Sequence, residues 1–372
     1  MTVTVADIVK RMELIAPSRL AEDWDNVGLQ AGQMDWPVHR VQVALDPLPQ
    51  VVAAACEAGV DLLITHHPLT LSPYKKIDFS SPFGAIIQQA AHSHLAIFTA
   101  HTNLDSAQGG LNDLLASKLA LKKIARLLPA EAVAQCKLVV YAPVAHEEVV
   151  LKALFEAGAG KIGAYSSCSF RQRGTGTFMP GPGAQPYSGV PGTLSQVDEI
   201  RIESIVPETQ LAAVVAHVRQ HHPYETMAYD VYPLLASESP EGLGCIGVFE
   251  NPIELHPLAM KIKEVMGLPA VKVTGPSDLL VKRAVVCSGS GASLLPLFLS
   301  ADAQVFISGD WRYHDARQAE AIDRGLIDIG HFASEHIVVN DLAQRLQQDL
   351  NQNGLAVTVE ACELEKDPFY FV

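Results

Sequence analysis

The sequence of 372 residues predicts an α/β protein into which a smaller α+β domain is inserted. Two observations support this fold class. Short β-branched runs alternate with helical stretches at both ends of the chain, and strand-helix-strand units stand in tandem in its middle. The alternation implies right-handed βαβ units and a largely parallel sheet covered by helices. The length also exceeds that of a usual single core, so more than one domain is expected.

The first part of the chain has the clearest alternation. The predicted elements are a strand at 41–46, a helix at 48–58, a strand at 61–65, a helix from 83 and a strand at 95–100. The same alternation of strands and helices occurs late in the chain, where the predicted strands are 284–288, 304–308 and 326–329. If the middle is a module of its own, the two ends form one discontinuous α/β domain.

The middle of the chain predicts a different fold. The predicted elements are a strand at 138–142, a helix at 146–157, extended segments at 163–170, 174–179 and 200–206, a helix at 209–220 and a strand at 228–234. Two strand-helix-strand units joined by a hairpin indicate a ferredoxin-like module. Its Gly/Pro-rich loop, 180–192, is predicted to be a surface connection, with a binding loop as the alternative. The predicted domains are therefore 1–128 with 247–372, and 129–246.

Composition excludes several classes of protein. With 48% hydrophobic and 18% charged residues, the chain is globular rather than disordered. A net charge of -14 without a Lys/Arg cluster argues against nucleic acid and anionic membranes as partners. We see neither a secretory signal pattern nor an apolar run long enough to span a membrane. Six scattered cysteines without a CxxC pair predict buried reduced thiols and a cytoplasmic location.

One candidate pair of metal ligands directly follows an apolar strand. His66 and His67 come after the strand 61–65 and precede Pro68. Adjacent side chains on a regular strand point to opposite faces, but at a strand end, where the backbone turns, both can face one site. The pair can therefore contact two metal ions, although adjacent histidines alone are more often incidental.

Two further pairs combine an imidazole with a carboxylate. His101 and Asp105 follow one predicted strand, and His331 and Glu335 follow another. If a helix runs on to residue 350, the latter pair extends its apolar stripe, where a buried carboxylate needs a cation or hydrogen bonds. Divalent zinc, iron, manganese and nickel accept both ligand types. The structural alternatives are an N-cap role for Asp105 and a solvated first-turn position for Glu335.

The three pairs are predicted to form one site, because the strand ends of an open α/β sheet converge on a single crevice. Four histidines and two carboxylates suit two ions about 3.5 to 4 Å apart, with open positions for water. The predicted metal ligands are His66, His67, His101, Asp105, His331 and Glu335.

Other polar groups are candidates for the border of this crevice. Asp46 ends its predicted strand, and His314 is predicted to be a catalytic acid/base or a substrate contact. Residues 288–291 (Ser-Gly-Ser-Gly) predict a plain βα turn, because they match neither the dinucleotide nor the P-loop fingerprint. Residues 221–225 (His-His-Pro-Tyr-Glu) leave a structural role and a site role open.

Several of these segments together resemble one family. They are residues 24–29 (WDNVGL), 64–69 (ITHHPL), 101–105 (HTNLD), 309–314 (GDWRYH) and 330–335 (GHFASE). In this order, they resemble the Nif-three-like dinuclear metal-centre proteins, also called GTP cyclohydrolase 1 type 2 homologues. Residues 158–165 and 222–225 are similar to the insert of the longer bacterial members, which resembles the CutA and PII folds.

The resemblance implies a toroidal homohexamer with two metal ions, zinc or iron, held in each subunit by the same six residues. We expect a dinuclear metal-dependent hydrolase that activates water against a small nucleotide-like or heterocyclic substrate, with ring opening of GTP as its most concrete form. The alternative is a metal-binding sensor or metal-handling scaffold whose PII-like insert binds an effector. In a third, structural alternative, the six residues meet without a metal.

Overall fold

The computed structural model describes residues 2–130, 134–163, 165–235 and 239–372. Residue 164 of the predicted extended segment 163–170 lies outside the described residues, and so do residues 131–133 and 236–238 of the predicted insert. The chain forms two compact units, one of Met1–Ala130 with Ser239–Val372 and the other of Glu131–Glu238.

Strands and helices alternate along much of the chain. The strands are β1 (Gly28–Ala31), β2 (Arg40–Ala44), β3 (Leu62–Thr65), β4 (Ala96–Thr99), β5 (Lys122–Pro129), β6 (Gln135–Pro143), β7 (Ser169–Phe178), β8 (Ser195–Pro207), β9 (Tyr229–Pro233), β10 (Gly242–Glu254), β11 (Lys272–Thr274), β12 (Leu280–Ser290), β13 (Val305–Gly309), β14 (Gly325–Asp328) and β15 (Thr358–Ala361). The α-helices are α1 (Val5–Ile15), α2 (Pro49–Glu57), α3 (Pro82–Ser93), α4 (Thr102–Ser106), α5 (Leu111–Lys118), α6 (Glu147–Glu156), α7 (Glu208–His221), α8 (Leu255–Val265), α9 (Leu295–Ser300), α10 (Tyr313–Glu320), α11 (His331–Glu335) and α12 (Ile337–Gln352). Short 3-10 helices occupy Ser18–Leu20, Val144–His146 and Ala292–Leu294.

The first sheet has the strand order β1-β4-β3-β2-β15. Four of its strands are parallel, and β1 pairs antiparallel with β4. Alternate side chains of β3 enter different cores: Leu62 and Ile64 pack with α1 and α12, whereas Leu63 packs with α2 and α3. Burial on both faces explains why β3 is a continuous apolar run rather than an alternating one.

The second sheet has the order β11-β14-β13-β12-β10-β5. Its central strands β12, β13 and β14 are parallel, and the outer strands pair antiparallel, so both sheets of this unit are mixed rather than uniformly parallel. The sequence pattern did not indicate β5 and β10. Strand β10 crosses the predicted domain boundary at 246, because residues on both sides of it pair with β12.

The unit Glu131–Glu238 contains an antiparallel sheet in the order β7-β8-β6-β9. Side chains from α6 and α7 share one apolar core with this sheet, including Leu154, Val214 and Ile202. Strand β7 includes most of the predicted extended segment 174–179 but only residues 169 and 170 of the predicted segment 163–170. Residues 180–192 form turns and bends between β7 and β8.

Among the described residues, no helix combines the length and the apolar character needed to cross a bilayer. All six cysteines are free thiols. Four of them are buried, whereas Cys56 and Cys168 are half-buried, which corrects the prediction that all six are buried.

Candidate metal centre

The candidate centre lies in the unit Met1–Ala130 with Ser239–Val372, at the carboxyl ends of strands from both of its sheets. His66 and His67 directly follow β3, and His101 stands between β4 and α4. His331 begins α11, and Glu335 is its last residue. The preceding residue, Gly330, has φ +79, a left-handed conformation that glycine adopts without strain as the chain turns from β14 into α11.

The structure brings all six predicted ligands together. The Nε2 atoms of His67 and His331 each lie 3.0 Å from Glu335 Oε2. His66 Nε2 lies 3.8 Å from Glu335 Oε1 and 3.8 Å from Asp105 Oδ1. The ring of His101 is centred 5.1 Å from that of His66.

The six residues include two groups of three. Within each group, the ligand atoms all lie within 4.8 Å of one another. One group is His66, His67 and His101, and the other is His67, His331 and Glu335. His67 belongs to both groups, so it lies at the centre of the constellation. Asp105 is outside both groups and enters the site through its contact with His66.

Each of the four histidines has its Nδ1 atom next to an oxygen that can only accept a hydrogen bond. The pairs are His66 with the Ala100 carbonyl at 2.9 Å, His67 with Asp46 at 2.7 Å, His101 with Asp25 at 2.9 Å and His331 with Asp310 at 2.7 Å. The Nδ1–H therefore donates outward and leaves the Nε2 lone pair for the centre. Carboxylate or carbonyl partners of this kind fix the tautomer and orientation of metal-binding histidines.

The sequence pattern did not reveal the orienting role of these carboxylates. It placed Asp46 and the segment 308–315 at the border of the crevice and counted residues 24–29 among the family motifs, but it gave neither Asp25 nor Asp310 an orienting role. Asp46 and Asp310 lie just beyond the ends of β2 and β13, so they share the strand-end signal that identified the ligands. Asp25 precedes β1 and carried no such signal.

The carboxylates are buried and require a positive partner. Burial alone would raise the pKa of Glu335, but contacts with His331, His66 and His67 hold that pKa well below its usual value. Burial raises the pKa of Asp105 despite the nearby histidines, and the Ser288 hydroxyl donates to its Oδ1 at 3.0 Å.

Two buried atoms, His66 Nε2 and Glu335 Oε2, have no hydrogen-bond partner of suitable geometry among the described residues. Unpaired buried polar atoms are costly, and a cation placed among them would satisfy both. Imidazole nitrogen and carboxylate oxygen together match the preferences of zinc, iron and manganese. The residues therefore fit a site for divalent metal.

The remaining candidate residues take different places. His314 is exposed in the first turn of α10 with its ring against Tyr313, and no described contact joins it to the six residues above. The predicted turn at 288–291 is instead largely the end of β12. In the other unit, the Nε2 of His222 lies 3.0 Å from the Tyr141 carbonyl and its Nδ1 accepts the Tyr224 N–H, which is a structural role.

The helix predicted to run from residue 331 to 350 is divided in two. Segment α11 ends at Glu335, and α12 begins at Ile337. The expected inward stripe nevertheless persists across the interruption, since Glu335, Val338 and Leu342 are all buried.

Zinc binding is expected to release protons at pH 7.5. Without metal, contacts with Asp46 and Glu335 overcome the effect of burial and raise the pKa of His67 to about 10, and contact with Glu335 raises that of His331 to about 9. Both imidazoles must lose a proton to bind metal, so zinc affinity should increase with pH up to about 10.

The protons on His67 and His331 also stabilise the metal-free fold. This stabilisation is fully present below the usual histidine pKa of about 6.5, and it disappears as pH rises through 9 to 10.

Calorimetric titration in two buffers with different ionisation enthalpies measures this release. A binding enthalpy that is the same in both buffers would contradict it, because it would mean that no proton moves.

The chain is similar to known proteins over nearly its whole length. The model of the family described as Duf34/NIF3 (NGG1p interacting factor 3) matches residues 3–368. A Bacillus subtilis protein named GTP cyclohydrolase 1 type 2 homolog is 36% identical over 365 residues, which cover 98% of each chain. A Mycobacterium tuberculosis protein of the same name is 38% identical over 373 residues, covering 99% of this chain and 97% of the relative. The crystal structure of a Bacillus cereus protein related to NIF3 matches with a TM-score of 0.86 and 37% identity over the whole of both chains.

Proposed function

Because this chain belongs to the Duf34/NIF3 family, as the sequence motifs indicated, we propose that it is a dinuclear metal-dependent hydrolase acting on a small nucleotide-like or heterocyclic substrate. One observation carries the proposal. Four imidazoles and two carboxylates from distant parts of the chain converge around unpaired buried atoms, with their outer nitrogens already held by carboxylates and a carbonyl.

The six residues would hold two divalent ions, zinc or iron. Glu335 would be a ligand of this centre, because its Oε1 lies near His66 while its Oε2 faces both His67 and His331. When bound, such ions lower the pKa of water to near neutrality and stabilise negative charge that develops on a substrate oxygen.

The chain's own residues would orient and shield this centre. Asp25, Asp46 and Asp310 hold three imidazoles in the tautomer that presents Nε2. The side chain of His331 is 40% exposed, whereas that of His66 is 1% exposed, so a substrate would approach from the side of His331. His314 is proposed to assist proton transfer from the exposed start of α10, which begins three residues after Asp310.

GTP is the first substrate to test, because relatives carry the name GTP cyclohydrolase 1 type 2 homolog. Hydrolytic opening of its imidazole ring adds water at a ring carbon, which is chemistry that an activated water supplies. We also propose that the chain assembles as a homohexamer in the cytoplasm, which sedimentation and cell fractionation can test.

A second function is favoured by the unit Glu131–Glu238. Its β-α-β-β-α-β succession, with the sheet order β7-β8-β6-β9, supports a ferredoxin-like insert of the CutA/PII type within a discontinuous metal domain. Its loop 180–192 contacts the rest of this unit through Tyr187, which packs against His146 and Tyr224. In this alternative, the protein is a metal-binding sensor or scaffold, and the insert binds a small effector.

Metal content and turnover, measured on the same preparation, distinguish the two functions. Wild type should contain two metal ions per chain and hydrolyse a member of a panel of GTP, other nucleotides and model phosphoesters. His101→Ala should lose metal and turnover together. His39→Ala is the matched control, because the side chain of His39 is 71% exposed.

The outcomes lead to different conclusions. Metal without turnover in the wild type would favour the sensor, whereas a carefully prepared wild type without metal would refute the metal centre. Unchanged metal content in His101→Ala would remove that residue from the ligand set.

A further inference from the structure

The C-terminal segment of the chain reaches the end of β2, beside the candidate metal centre. Strand β15 pairs in parallel with β2 as far as Ala361 and Val43, and the Cys362 N–H donates to the Val43 carbonyl at 2.7 Å. The chain then leaves the sheet, and Glu363 is exposed. Glu365 turns back inward, so that its side chain is only 1% exposed.

The Glu365 carboxylate accepts hydrogen bonds from backbone groups that a neighbouring strand would otherwise pair with. Its Oε2 accepts the Leu45 N–H and its Oε1 accepts the Asp46 N–H, both at 2.7 Å. These backbone groups lie beyond the last residue of β2 that pairs with β15. A buried carboxylate that accepts two backbone N–H groups is well satisfied, and such charge-assisted bonds are stronger than neutral ones.

The segment held in this way carries two contacts to His67. The Leu45 carbonyl accepts the His67 N–H at 2.8 Å, and the Asp46 side chain accepts its Nδ1–H at 2.7 Å. The Asp46 side chain is 34% exposed, so its orientation depends on the backbone that carries it. His67 is the residue common to both candidate ligand groups.

The same carboxylate also faces the opposite side of the centre. Its Oε2 lies 3.8 Å from Nε2 of His336, the residue after Glu335. The His336 ring stacks on Phe332, which lies one turn earlier in the helical segment. Glu365 therefore lies between the segment 45–46, which holds His67, and the helical segment that carries Glu335. The side chains of His67 and Glu335 meet at 3.0 Å.

We propose that Glu365 is a positioning residue for the metal centre, which sets metal affinity by fixing Asp46 against His67. The inference rests on the proposed metal centre and not on any particular substrate. Groups that orient metal-binding histidines typically change metal affinity by about 10- to 100-fold.

The test measures the zinc affinity of the full-length chain by competition with a chelator. Glu365→Gln keeps the shape of the side chain, but one of the two accepting oxygens becomes an NH2 group, which faces a backbone N–H and cannot accept from it. Zinc affinity is expected to fall about 10- to 100-fold. Glu363→Gln, an exposed glutamate of the same segment, is the matched control and should bind zinc like the wild type.

A double-variant cycle separates positioning through Asp46 from general destabilisation. Asp46→Asn should weaken zinc binding, and the variant that combines it with Glu365→Gln should bind no more weakly than Asp46→Asn alone. If Glu365→Gln does not fold, Glu365→Asp replaces it, because that change keeps the charge and withdraws the carboxylate by one methylene.

Two results would overturn the inference: wild-type zinc affinity in the folded Glu365 variant, or losses that multiply in the double variant. A wild type that binds zinc but converts no substrate would refute the proposed hydrolase activity. The zinc-affinity test of Glu365 would still apply. A wild type that binds no zinc would refute both the centre and the inference.

Discussion

Glu335→Gln is expected to reduce metal content from two ions to at most one per chain and to abolish turnover. Glu335 contacts three of the four histidines, and its carboxylate is the buried anion that balances them. An amide retains the volume of the side chain but lacks the charge. Residues that only orient ligands change metal affinity by about 10- to 100-fold, so the loss of a ligand that contacts three histidines should lower metal affinity more than ~100-fold.

Elemental analysis after dialysis and zinc competition measure this effect. Glu320→Gln is the matched control, because that side chain is 51% exposed and pairs with Arg317 on the surface of α10. If folded Glu335→Gln still binds the full complement of metal, Glu335 is not a ligand and its role is structural.

Gly289→Ala is expected to disturb the metal centre without altering any proposed ligand. Gly289 has φ +57, and a Cβ placed there would lie 2.2 Å from Glu335 Oε1 and 3.4 Å from His331 Cε1. The Glu335 carboxylate would have to move away from the three histidines. We expect zinc affinity to fall at least as far as in the variants of orienting residues, by about 100-fold.

Gly59→Ala is the control that has the backbone strain of alanine at positive φ without the clash. Gly59 has φ +65, and a Cβ placed there would meet nothing within 4 Å, so alanine incurs only the left-handed strain of about 1–2 kcal/mol. In the absence of metal, thermal unfolding should show destabilisation by strain alone in Gly59→Ala and a larger destabilisation in Gly289→Ala, whereas zinc affinity should fall only in Gly289→Ala. Equal zinc affinities would show that Glu335 tolerates displacement.

Much of the fold was predictable because its signals are local. The buried run Leu62–Thr65 and the helix Pro49–Glu57 both lie within one or two residues of their predicted bounds. The strands that escaped prediction are edge or antiparallel strands. In β5, for example, most residues are exposed, so it lacks the apolar run that marks a central parallel strand.

The predicted ligands share a signal that sequence can carry, since each histidine and its partner carboxylate follows a strand of apolar residues. Of the residues that orient them, Asp46 and Asp310 share this signal, whereas Asp25 and Glu365 do not. Asp25 and His101 are 76 positions apart, and Glu365 lies 320 positions from Leu45. No spacing rule connects residues at such separations, because the turns between them depend on the packing of the whole unit.

The sequence by itself determined the alternation of strands and helices, the residue types at the strand ends and the family. The tertiary structure alone decided that β15 joins the sheet of the first half while β5 joins that of the second, and which oxygen holds each imidazole. The physical reason is that periodicity and strand ends are properties of short segments. The pairing of strands and the direction of a side-chain hydrogen bond depend on how distant segments pack.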